Sequence, residues 1–160
     1  MNQDYNNIEI IIIDDCSGDN TENIINNLIK ENSNIIRSYK FTKKVGAGQA
    51  RQKGIYMSNG KYISFLDDDD EWLPNKLTLQ LEALKNNNDI GAVTSWYILN
   101  NNGIDIKVSR LENLQANDIL WANILGSFSF CLIRSSMIKN SITMNTKLPS
   151  CQDWDFWIKI

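Results

Sequence analysis

Residues 8–15 read Ile8-Glu9-Ile10-Ile11-Ile12-Ile13-Asp14-Asp15. An apolar run broken only by Glu9 and stopped by two acids suits a strand buried on both faces, as in a parallel sheet. A second apolar segment, Tyr62-Ile63-Ser64-Phe65-Leu66, runs straight into Asp67-Asp68-Asp69-Asp70-Glu71. Between the two lie helix and strand signals. Asp19 and Glu22 have the spacing of a capping box, and Ile24, Ile25, Leu28 and Ile29 form a helical stripe. Residues 35–41 suit a second strand, Val45-Gly46-Ala47-Gly48 a glycine-bearing loop, and residues 49–57 a helix with Ala50, Gly54 and Met57 on one face. The alternation β-α-β-α-β-α predicts an α/β fold, a mostly parallel sheet flanked by helices.

Further along, Pro74 precedes a helix whose buried stripe is Leu77, Leu81 and Leu84. Residues 90–99 read as a strand, and residues 100–103 as a hairpin turn into a strand over 104–108. Helix is expected over 113–123 and 135–139, strand over 128–133, and a last helix opens at Cys151. No repeat or linker divides the sequence, so residues 1–160 read as a single domain.

The formal net charge of −3 argues against a nucleic-acid partner, whose phosphates need clustered Lys and Arg. No apolar run is long enough to span a bilayer. Cys16, Cys131 and Cys151 are odd in number and lack CxxC spacing, so they read as unpaired thiols in a reducing compartment. The count of histidines is zero, which excludes Ser-His-Asp and Cys-His nucleophile systems and histidine-based zinc sites. Acid–base and metal chemistry therefore falls to Asp and Glu, and a bound metal would be Mg²⁺ or Mn²⁺.

Ligands of open α/β sheets bind beyond the carboxyl ends of the strands, and two of the three early strands end in acids. Neighbouring carboxylates about 5 Å apart repel by roughly 3 kcal/mol at an effective dielectric near 20. A cation would relieve that repulsion. An EF-hand is ruled out because Trp72 stands where the loop glycine belongs. Glu71 stands two residues after Asp69, where an aspartate-nucleophile phosphatase would show Thr or Val. A metal–diphosphate site passes both checks: Asp67 and Asp69, one residue apart, would present their carboxylates to one side of a loop.

Four blocks now align with a known family. Ile10-Ile11-Ile12-Ile13-Asp14-Asp15-Cys16-Ser17-Gly18-Asp19-Asn20-Thr21 resembles the nucleotide-binding segment of family 2 glycosyltransferases. Gly46-Ala47-Gly48-Gln49-Ala50-Arg51-Gln52-Lys53-Gly54-Ile55 resembles their glycine–arginine segment, and Phe65-Leu66-Asp67-Asp68-Asp69-Asp70-Glu71-Trp72-Leu73-Pro74 their D-x-D motif with its trailing proline. Gln152-Asp153-Trp154-Asp155-Phe156-Trp157 resembles the segment bearing the catalytic base. Each block is weak singly. Four in family order form a specific pattern.

The resemblance implies a GT-A fold, Rossmann-like, that moves a sugar with inversion from a nucleotide-diphosphate donor, a UDP-sugar, to an acceptor hydroxyl. It places Asp15 at the nucleoside base, Arg51 near the donor nucleotide, Asp67 and Asp68 beside the nucleotide, and Asp69 with Asp67 at a Mn²⁺ or Mg²⁺ ion. It makes Asp153 the general base, against the plainer reading of that residue as a helix N-cap. Trp154 and Trp157 read as core packing ahead of acceptor stacking, and Trp72 is open between the two. Gln152 stands where many relatives have Glu, and Cys16 where many have Gly.

The resemblance also implies that the family's first strand, central in the sheet between residues 8–13 and 62–66, is missing before Met1, and that a tail is missing past Ile160. A chain so truncated is expected to be a poor or inactive transferase and to self-associate through unpaired edges. The expected setting is cytoplasmic, peripheral to the membrane's inner face, with a carbohydrate or lipid-linked acceptor. A competing reading is a non-catalytic remnant that binds a nucleotide or a partner. A third, a sugar-nucleotide pyrophosphorylase, lacks its glycine-rich triphosphate loop near the N-terminus.

Overall fold

The computed structural model describes residues 2–108, 115–138 and 142–160. Strand β1 (Ile10–Asp14) lies parallel to β2 (Ile36–Lys40), with Ile10 opposite Ile36 and Asp14 opposite Lys40. Helix α1 (Thr21–Glu31) connects them. The expected capping box does not form: Asn20 is the N-cap, and Asp19 instead accepts the amide and hydroxyl of Thr21. Of the expected stripe only Ile25 is buried; Ile24 and Leu28 are exposed.

Helix α2 (Ala47–Met57) begins two residues earlier than its sequence suggests, because Gly46 takes a left-handed φ of +88° and turns the chain into it. Helix α2 packs on β1 at Gly54, where a Cβ would sit in ordinary contact with Ile13 Cγ1, 3.7 Å away. Ile55, on the same helix, enters the main core. Strand β3 (Tyr62–Ile63) is shorter than its apolar run, since Ser64 donates to Cys131 O and the amide of Asp67 goes to Ser129 Oγ. Helix α3 (Lys76–Asn86) buries Leu77, Leu81 and Leu84 as the periodicity predicts.

The strand expected over 90–99 is two, β4 (Ala92–Val93) and β5 (Tyr97–Asn101). β5 forms a hairpin with β6 (Ile104–Val108) through Asn102 and Gly103, both at positive φ, the backbone of a two-residue hairpin turn. In place of a helix over 113–123 there is a 3-10 turn at Ala116–Leu120. Asn113 and Leu114 lie outside the described residues. A second 3-10 turn (Phe128–Phe130) replaces the first half of the strand expected over 128–133. Its second half is β7 (Leu132–Arg134), followed by α4 (Ser135–Ile138). Lys139, the expected end of that helix, lies outside the described residues. Helix α5 (Gln152–Lys159) closes the order.

β7 is the middle strand of the sheet β3-β7-β4 and antiparallel to both neighbours, so β3 and β4 share one direction. Its Leu132 and Ile133 point to opposite faces and enter the two cores. Leu132 joins Leu77, Leu81 and Leu84; Ile133 joins Ile55, Ile63, Phe128, Phe156 and Trp157. Among the described residues no strand joins β1 to β3. Ile10–Ile13 are therefore only half-buried, against the expected burial on both faces. The two sheets are tied instead at one end. Glu9 accepts the amides of Asn59 and Gly60 and pairs with Arg37.

Candidate active site

The two acids closing β1 face different partners. Asp14 is buried; its Oδ1 accepts the Ser17 amide at 2.8 Å, a turn made at Cys16, whose φ is +62°. Hydrogen bonds from Ser17, hydroxyl and amide, hold the Asp14 carboxyl below the usual carboxylate range. Its Oδ2 has no hydrogen-bond partner, and Lys40 Nζ stands 3.8 Å away. Asp15 reaches the other way and accepts the amides of Val45 and Gly46 at 2.7 and 2.8 Å. It thereby fixes the loop that opens α2.

From the first half of α2, Arg51 extends its guanidinium to Asp67. Nη2 lies 2.6 Å from Asp67 Oδ1, Nη1 lies 3.5 Å from Gln152 Oε1, and the group covers the Phe128 ring at 4.5 Å. Gly48 lets α2 come close to α5, since a Cβ there would meet Gln152 Oε1 at 3.2 Å. The acidic loop is clasped at both ends by Ser129: its Oγ accepts the Asp67 amide, and its carbonyl accepts Trp72 Nε1, each at 2.9 Å. Trp72 is thus a structural anchor. Asp67 is half-buried, whereas Asp68, Asp69, Asp70 and Glu71 are exposed.

At α5 the N-cap is Cys151, at a φ of +55°, so Asp153 sits in the first turn and not at the cap. Asp153 Oδ2 accepts Asn123 Nδ2 at 2.9 Å and Oδ1 accepts the Trp154 amide at 2.8 Å. Asn123 Oδ1 in turn accepts the Gly126 amide. The indoles of Trp154 and Trp157 donate to Ile119 O and Gly126 O, which matches packing ahead of acceptor stacking.

These elements enclose a cleft of about 490 Å³. Gly46, Ala47, Arg51, Asp67, Phe128 and residues 148–153, Asp153 included, are among its lining. Of the residues singled out from sequence, Arg51, Asp67 and Asp153 meet here. Asp15 acts at the rim through Gly46, and Asp68 and Asp69 stand outside the lining. Sequence reasoning missed Asn123, Ser129 and Phe128. The partners of the first two lie 30 and 62 residues away, beyond any local pattern.

A hard divalent cation takes oxygen donors and accepts one or two carboxylates when phosphate oxygens and water complete its shell. Asp69, exposed, and Asp67, with one oxygen on Arg51, fit that mode. A closed protein cage does not fit: among the described residues no group of three or more His, Cys, Asp or Glu converges.

The structure is similar to S. aureus TarS 1–349 in complex with UDP, with a TM-score of 0.78 at 19% identity over 98% of this chain and 47% of that one. This likeness identifies the fold as that of GT-A glycosyltransferase domains. In sequence the chain is 31% identical to an uncharacterized glycosyltransferase of Methanocaldococcus jannaschii, over 94% of this chain and 52% of the relative. It is 30% identical to the putative teichuronic acid biosynthesis glycosyltransferase TuaG of Bacillus subtilis, over 100% and 63%. With the Escherichia coli glucosyltransferase WfgD, named for transfer from UDP-Glc to GlcNAc-diphosphoundecaprenol, it shares 28% over 100% and 60%. The chain thus spans between about half and two thirds of these relatives' lengths. No helix among the described residues is long and apolar enough to cross a membrane. The family model for glycosyl transferase family 2 matches residues 1–146, and the chain belongs to that family.

Proposed function

We propose that this chain carries the donor site and the general base of an inverting, metal-dependent glycosyltransferase acting on a UDP-sugar and a glycan or lipid-linked acceptor hydroxyl. One observation carries the reading: Asp153 and the Arg51–Asp67 pair line a single cleft. Inversion requires attack from the side opposite the departing diphosphate, with a base to receive the acceptor proton as the bond forms. In a chain without histidine, a carboxylate must do this.

In this scheme Arg51 holds Asp67 beside the diphosphate, and the Asp15-anchored loop at Val45 and Gly46 borders the nucleoside. Mn²⁺ or Mg²⁺ at Asp69 and Asp67 would offset charge developing on the leaving diphosphate. Asn123 orients Asp153 through its amide and touches no donor atom in the scheme. Asn123→Ala is expected to lower kcat about tenfold with KM for the donor nearly constant. Steady-state kinetics on the two proteins checks this.

The names of WfgD, TuaG and the UDP-bound TarS support a uridine nucleotide and a glycan or lipid-linked acceptor in polysaccharide synthesis. They lend no support to a non-catalytic remnant. Calorimetry with UDP in MnCl2 and then in EDTA tests the donor site: heat with manganese and little without is expected. Absence of UDP binding in both conditions would sink the reading. UDP binding with no donor cleavage would favour the remnant instead.

A further inference from the structure

At the start of α3, outside the cleft lining, lies a lysine with an unusual setting. Lys76, the first residue of α3, is 9% exposed and makes no ion pair with a described carboxylate. Its Nζ donates to Gln80 Oε1 at 2.8 Å and to Ser64 Oγ at 3.4 Å, and covers the Trp72 indole at 4.2 Å. Burying an ammonium without a counter-ion is costly, and burial draws its pKa down to about 8. The surrounding bonds explain what the lysine touches. Ser64 donates onward to Cys131 O, and Gln80 Nε2 donates to Phe130 O at 2.7 Å, both on the strand-and-turn segment that clasps the acidic loop. The held indole donates to Ser129 O, and Ser129 Oγ receives the Asp67 amide. Nζ thus contacts Trp72 and the polar groups on either side of the 128–131 segment.

We propose that Lys76 is a positioning residue of the donor site, holding Trp72 and the 128–131 turn so that Ser129 fixes the Asp67 end of the acidic loop. The proposal rests on the donor-site reading, and it makes a ligand-free demand as well. In wild type the Asp67 amide is protected by its bond to Ser129 Oγ. In Lys76→Met, a change that keeps the volume and removes the charge, that amide should exchange about tenfold faster.

The test combines three measurements on wild type, Lys76→Met, Trp72→Phe and the double variant. Hydrogen exchange reads the Asp67 amide, calorimetry reads UDP affinity in MnCl2, and calorimetric unfolding reads Tm. For Lys76→Met the expected result is tenfold faster exchange and about tenfold weaker UDP binding with Tm held or raised, since a buried unpaired charge has gone. Trp72→Phe keeps a ring under the ammonium but loses the Ser129 bond, and the double variant should be no worse than the poorer single. Unchanged exchange at Asp67, a Tm fall that accounts for the lost affinity, or losses that simply add in the double variant would each overturn the proposal. Failure of wild type itself to bind UDP with Mn²⁺ would overturn the donor-site reading, and the proposal with it. Those outcomes are separable because the exchange rates need no ligand.

Discussion

Asp153→Asn should reduce kcat by roughly 10²–10⁴-fold and leave the affinity for UDP almost unchanged. The amide is nearly isosteric, so it can still occupy the first turn of α5, and one oxygen remains to accept from Asn123 or the Trp154 amide. What it cannot do is receive a proton from an acceptor hydroxyl. The loss should fall on the chemical step alone, because Asp153 bonds to Asn123 and the Trp154 amide while Arg51 pairs with Asp67. The measurement is UDP release from the nucleotide sugar, in the protein at its full natural length, beside a UDP titration. Equal losses in turnover and UDP affinity would remove Asp153 from the role of base.

The complementary result is expected at the exposed acidic loop. Asp69→Ala should weaken UDP binding in Mn²⁺ about a hundredfold, roughly 2.7 kcal/mol, to the level wild type shows in EDTA. Asp69 is the informative choice because it is exposed and outside the network, so its removal leaves the fold intact. Asp67→Ala would strand Arg51 in a half-buried position and mix two effects. Titrations with and without MnCl2 separate the cases. Undiminished manganese-dependent binding in Asp69→Ala would assign the metal elsewhere.

Much of this architecture was legible from residue pattern. The stripe Leu77, Leu81, Leu84 gave α3, and alternating apolar runs gave the parallel pair β1 and β2. Glycine and asparagine at 102–103 gave the hairpin. Several of the misreadings share one physical origin: short polar side chains that bond locally or across the chain. Ser127 accepts the Ser129 amide and turns Phe128–Phe130 into a 3-10 turn where β-propensity alone suggests strand. Asp19 spends its carboxylate on Thr21 in place of capping α1. β1 fell short of full burial for another reason: among the described residues no strand pairs with its second edge.

The site divides the same way. Arg51, Asp67 and Asp153 were readable because family motifs mark them. The groups that aim them were not. Asn123 and Ser129 sit in unremarkable sequence and acquire meaning only through distant partners. Lys76 reads as an ordinary polar residue in a first helical turn until α3 packs it against Trp72. The Asp15 carboxylate is engaged by two backbone amides and holds the loop at Val45 and Gly46, a role that no local pattern announces.

Arg51 touches the acidic loop, the Phe128 ring and Gln152, the residue immediately before Asp153. One planar cation therefore spans the halves of the cleft. Energetic linkage between two such halves is reciprocal. In the proposed scheme, any factor by which settling the guanidinium tightens the donor is the factor by which it tightens the acceptor, so a single side chain would couple the two substrates whichever binds first.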